Sequence, residues 1–119
     1  MATSQTTTST TYTDLTTVGP SVTVTVPASG NIIVILTAQM GNASNGDEVY
    51  MSFSGGGIAV SDARALVWTG RNTGDVFIGS ATFYVTGVST GSQTFTAKYK
   101  TAAGTATIAN RNIVVIPVP

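Results

Sequence analysis

The sequence predicts an all-β protein: an antiparallel sandwich or barrel of eight or nine short strands with no substantial helix. Three observations carry this. Apolar and polar residues alternate with a period of two in most segments, as in Ser21 to Val26. Gly, Pro and Asn clusters punctuate the chain roughly every ten residues. No stretch of useful length shows the 3.6-residue periodicity of a helix.

Residues 1 to 11 are a Thr/Ser tract with almost nothing to bury. They read either as a disordered tail or as an arm that becomes extended by pairing with a neighbour. A single domain then spans residues 12–119. In Ser21 to Val26, Val22, Val24 and Val26 face inward and Thr23 and Thr25 outward. Pro27-Ala28-Ser29-Gly30 forms a turn, with Pro presetting one φ and Gly accepting a positive one. A strand follows from Asn31 to Met40, then a polar loop from Gly41 to Asp47. Glu48 to Ser54 alternates again, with Val49, Met51 and Phe53 on one face, until Gly55-Gly56-Gly57 ends it.

Residues 58–65 read as a loop leading into a short strand, Leu66 to Thr69. After a turn at Gly70 to Asp75, a long strand runs from Val76 to Val88, with Phe77, Ala81, Phe83 and Val85 toward the core. Gly79 lies on the same face and marks a bulge or a close backbone approach. Gln93 to Thr101 alternates most clearly: Phe95, Ala97 and Tyr99 in, Thr94, Thr96, Lys98 and Lys100 out. A turn at Ala102-Ala103-Gly104 precedes a short strand, Thr105 to Ala109. A further turn at Asn110-Arg111-Asn112 leads to a closing strand, Ile113 to Val118. Pro117 and Pro119 place the chain end at a sheet edge, and Lys98 and Lys100 read as edge protection.

Two strands break the alternation. Ile32 to Leu36 and Ile113 to Ile116 are apolar on both faces. In a lone sandwich their outer faces would meet water, and a contiguous patch of that kind is unusual on a monomer. The two strands are therefore expected to be neighbours whose second face packs against another chain. The alternative is that loops or the N-terminal arm cover it. Ile33, Ile35, Val114 and Ile116 are the candidate subunit contacts. Trp68, the sole Trp, is either a fifth contact or a core plug.

Composition narrows the chemistry. Charged residues make up 8% of the 119, against roughly 25% in ordinary domains. Five acids balance five bases, and there is no Cys and no His. A disulfide framework, a thiolate metal site and a Ser-His triad are thereby excluded. Zero net charge without a basic cluster argues against a nucleic-acid partner. The longest apolar run, Ile32 to Leu36, is far short of the roughly 20 residues of a membrane helix. The N-terminus lacks the charged and apolar regions of a signal peptide, and the Met start reads as a self-contained small protein.

Other candidate sites reduce to surface features. Asp47-Glu48 with Asn42 and Asn45 could offer oxygens to calcium, but the spacing matches no calcium loop and a solvated loop edge is the simpler reading. Asp62 and Arg64 are expected to form a local ion pair of little worth. Gly55-Gly56-Gly57 is no phosphate loop, because no Lys and no helix follow. Asn42-Ala43-Ser44 fits a glycosylation sequon, which matters only on secretion. Tyr50 and Tyr84 fall on the outward faces of their strands and could meet a partner or a glycan. No catalytic, cofactor-binding or metal-binding residue emerges, and the protein is expected not to be an enzyme.

The runs Thr10 to Leu15, Val18 to Val24 and Pro27 to Gly30 resemble the opening of small β domains from tailed bacteriophages and related bacterial proteins. Tyr50 to Phe53, Phe95 to Tyr99 and Asn110 to Pro117 continue the resemblance, which spans residues 10–117. It implies a jelly-roll-like sandwich, similar to the C1q and tumour-necrosis-factor type and often trimeric. It further implies a place on the virion surface after assembly in the host cytoplasm, as a capsid decoration, head-fibre or tail-fibre-tip protein. The partners implied are copies of the chain itself and the major capsid protein or another virion protein. A receptor-binding module and a carbohydrate-binding module are the alternatives. The resemblance brings no enzymatic residues, and no cofactor and no membrane partner are expected.

Overall fold

A computed structural model describes residues 1–44 and 46–119. These residues form eight strands: β1 (Gln5–Thr7), β2 (Ser21–Val26), β3 (Asn31–Asn42), β4 (Glu48–Ser54), β5 (Leu66–Thr69), β6 (Val76–Val85), β7 (Gly91–Thr101) and β8 (Ala106–Val118). They form two four-stranded sheets, ordered β1-β8-β3-β6 and β2-β7-β4-β5, with every pairing antiparallel. The pairs β1:β8, β2:β7, β3:β6 and β4:β5 are those of one long ribbon rolled onto itself, which is the jelly-roll arrangement.

The alternation seen in sequence sets which face each strand buries. Ile32, Val34, Leu36, Ala38 and Met40 of β3 meet Val49, Met51 and Phe53 of β4 and Phe95, Ala97 and Tyr99 of β7, all fully buried. Between β4 and β5 the chain makes a single 3₁₀ turn, Asp62–Arg64, capped by the Ser61 side chain accepting from the Ala63 amide. The sequence had shown only a loop there.

Three expectations are corrected. Asn110-Arg111-Asn112 is not a turn between two strands. β8 runs unbroken through it, and the extra residue is absorbed as a bulge opposite Thr37 and Gln39 of β3. Asn110 takes the left-handed φ of 48° that an Asn tolerates better than most residues. The bulge shifts the inward phase by one, so that Ile108 before it and Arg111, Ile113 and Val115 after it all point inside.

The Thr/Ser tract is not a free tail either. Gln5–Thr7 pairs with Ala106–Ile108 of its own β8, and Thr13 then exchanges both backbone hydrogen bonds with Tyr99 of β7. The N-terminal segment thus closes one flank of the sandwich. Lys98 and Lys100 stand on β7, a central strand, so they lie on an outer face and protect no edge.

The opposite flank is closed by Trp68 of β5 and Phe77 of β6. Their rings stack at 5.9 Å and 5° between the two sheets. Gly70 and Gly79 make room for them: a Cβ at Gly70 would lie 2.8 Å from the Trp68 ring, and one at Gly79 would collide with the Phe77 ring. Gly79 therefore marks a close approach, by an aromatic ring rather than by backbone.

Candidate functional site: an uncovered sheet face

β3 and β8 are neighbours, as expected from their doubled apolar pattern. Register aligns their outward side chains in rows across the sheet. Ile116, Ile33 and Tyr84 form the end row, and Val114, Ile35 and Thr82 the next. Ile116 is 43% exposed, Val114 38% and Tyr84 61%. Ile33 and Ile35 are half-buried by their strand neighbours. The N-terminal segment does not cover this face, because β1 adds to the edge of β8 at its other end.

Toward the middle the face turns polar. Asn112, Thr37 and Ser80 make a row, with Thr37 donating to Ser80 at 3.2 Å, and Asn110 donates to the Gln39 amide oxygen at 3.0 Å. Beyond it, Val76 and Ile78 of β6 are again exposed. Their outward direction was legible once Phe77 and Gly79 had been read as inward.

Trp68 stands apart from this surface. It belongs to the other sheet and packs half-buried against the core, stacked on Phe77. The structure brings Ile33, Ile35, Val114 and Ile116 together and leaves Trp68 half-buried at the β5–β6 flank.

The outer face of the second sheet is laced to the N-terminal segment by charge and aromatic contacts. Lys100 lies 2.8 Å from Asp62 and within 4.8 Å and 4.5 Å of the Tyr12 and Tyr50 ring centres. Tyr12 donates its hydroxyl to Asp62 at 2.9 Å. Hydrogen bonds from Lys100 and Tyr12 hold the Asp62 carboxyl below the usual carboxylate range. Burial, followed by the Asp62 contact, pushes the Tyr12 phenol well above its ordinary value. Asp62 therefore pairs with Lys100, not with Arg64 as expected from the sequence. Lys98 pairs likewise with Asp14.

Arg111 is a buried charge that sequence reasoning placed in a turn. Only 1% of it is exposed. It donates to the Gly19 carbonyl at 3.0 Å, the Thr17 carbonyl at 3.4 Å and the Gln5 side-chain oxygen at 3.3 Å. Its guanidinium also sits 5.3 Å from the Tyr99 ring centre. It is tied to the N-terminal segment from within, and the Met1 ammonium donates to its carbonyl at 3.0 Å.

Among the described residues, no group of three or more His, Cys, Asp or Glu is placed to hold a metal. Asn42, whose side-chain oxygen could have served calcium, is buried: that oxygen accepts from the Ser44 amide, and the amide nitrogen donates to the Thr101 hydroxyl and the Ala103 carbonyl. Asn45 lies outside the described residues.

No family model matches the chain, and no curated protein matches it. Among solved structures, it is similar to a chain described as the EclA C-terminal domain, a sugar-binding protein. The two are 15% identical with a TM-score of 0.47, over 96% of this chain and 79% of that one. A likeness at that level assigns no function.

Proposed function

We propose that the protein is a non-enzymatic structural component of a bacteriophage virion, a capsid decoration protein that assembles as a homotrimer and braces the shell. The observation that carries this reading is the uncovered apolar face of β3 and β8. An Ile or Val side chain gains about 1.5–3 kcal/mol on passing from full exposure to full burial. Ile33, Ile35, Val114 and Ile116 are contiguous and partly exposed, so a partner gains part of that at each. The zero net charge removes self-repulsion between copies. The resemblance of residues 10–117 to small phage β domains supports a virion surface as the place of assembly.

Sedimentation equilibrium tests the assembly step. The wild type is expected at three times the monomer mass at micromolar concentration. Ile33→Asp and Ile116→Asp are expected to sediment as folded monomers, with unchanged circular dichroism. A wild type that stays monomeric sinks the reading. Electron microscopy of particles carrying labelled protein tests the location: label on the capsid supports decoration, and label at the tail replaces it with a tail-fibre or receptor-binding role.

A further inference from the structure

Beside the apolar face, where β6 passes the 3₁₀ turn, lies an open groove of about 450 Å³. Ile58 and Phe83 supply its apolar lining, and Arg64, Thr82, Tyr84 and Thr86 its polar groups. The volume falls within the roughly 300–1,000 Å³ of small-molecule sites. Arg64, unlike the enclosed Arg111, whose Nε also lacks an acceptor, opens onto this groove. It donates to the Ala59 carbonyl at 3.0 Å, which holds the side chain along the groove. Its Nε is buried without an acceptor. No carboxylate pairs with it among the described residues, because Asp62, two positions earlier, is engaged by Lys100 and Tyr12.

A half-buried guanidinium without a counter-charge is a poised receptor for a carboxylate, which its planar fork can bind in bidentate fashion. The surroundings narrow the ligand further. Tyr84 is 61% exposed and offers both a ring face and a hydroxyl. Thr82 and Thr86 add hydroxyls that can donate or accept. One cation, one aromatic face and several hydroxyls complement a ring that carries C–H faces, hydroxyls and one carboxylate. We propose that this groove binds an acidic sugar, of the uronic or sialic acid type, with Arg64 on the carboxylate and Tyr84 against the ring. An acidic peptide would engage the guanidinium equally and leave the Tyr84 face unused. Arg64, Ile58 and Phe83 belong to the groove and not to the β3–β8 face, whereas Thr82 and Tyr84 stand on β6 at the border of the two.

Calorimetric titration of the full chain tests it, with galacturonic acid, N-acetylneuraminic acid, neutral galactose and triglutamate as probes. Binding of at least one acidic sugar is expected in the millimolar range or tighter. Galactose should bind at least about tenfold more weakly, on the scale of one charge-assisted contact. Arg64→Gln should lose at least about tenfold for the acidic sugar, and Arg64→Lys an intermediate amount. The sedimentation behaviour should stay that of the wild type. Should Arg64→Gln fail to fold, Tyr84→Ala provides the second test, with weakened sugar binding expected. The proposal is overturned if neither acid binds at millimolar concentration, or if galactose or triglutamate binds as tightly as the acids. Unchanged acid binding by Arg64→Gln, or by Tyr84→Ala where that variant is the test, overturns it as well.

Discussion

Single side chains close the two flanks of this sandwich, and each does so at a point where one atom more would not fit or one charge less would leave a gap. At the β5–β6 flank, Gly79 lies under the Phe77 ring that stacks on Trp68. Gly79→Ala must push Phe77 aside, and overpacking of this kind costs about 1–3 kcal/mol. Because Trp68 is the sole Trp, its fluorescence should report the displaced ring directly, and denaturant titration the lost stability. At the other flank, Tyr99 is buried on β7 and donates to the Gly19 carbonyl at 3.0 Å. Burial pushes its phenol up from 10.0 to about 12, with the Arg111 charge opposing the shift. A raised folded value means that the neutral form is favoured by folding. The associated stability is complete below pH 10 and is lost as pH rises from 10 toward 12. It amounts to about 3 kcal/mol. Alkaline titration read at the phenolate absorbance, alongside melting temperature, should show unfolding coupled to that ionisation, and Tyr99→Phe should blunt it.

At the scale of elements, β8 is where sequence pattern and structure part. The Asn-Arg-Asn cluster has the composition of a turn, and the local backbone does break its regular path at Asn110. What keeps the chain extended is pairing with β3 on both sides of the break, from Ala106 to Val118. A single extra residue then re-phases the strand, so a charged Arg111 takes an inward position that alternation alone would have denied it. Asn110→Gly should leave stability within about 0.5 kcal/mol, since Gly accepts φ of 48° freely. Asn110→Val should cost about 1–2 kcal/mol, because a β-branched residue resists that conformation. Urea denaturation of the two variants separates them. Strands β2, β4, β5 and β7 were all legible in advance, because their alternation is local and their turns carry Gly or Pro. β1 was not: three residues of a Thr-rich tract hold no apolar signal, and only the free edge of β8 gives them a place.

For the whole molecule, the scarcity of charge and the doubled apolar pattern of β3 and β8 act together. Charges that are present are largely engaged within the chain, Lys98 with Asp14, Lys100 with Asp62, and Arg111 with carbonyls. The β3–β8 face has aliphatic groups and no ionic ones among Ile33, Ile35, Val114 and Ile116. An assembly built on it should resist salt, since screening weakens ionic contacts and leaves apolar burial intact. The sedimenting mass is therefore expected to be the same in 0.1 M and 1 M NaCl. Dissociation at the higher salt would show that the contact is ionic and that another surface makes it.

The sequence by itself determined the fold class and the inward faces of most strands. Each of these follows from side-chain periodicity, which is local and survives without knowledge of neighbours. Tertiary structure alone decided the docking of the N-terminal segment, the bulge in β8, the burial of Arg111 and the company of Lys100 and Arg64. Most of these depend on which residues meet across long gaps, 50 positions between Tyr12 and Asp62 and 106 between Gln5 and Arg111. A long-range contact leaves no periodic trace in the chain that makes it.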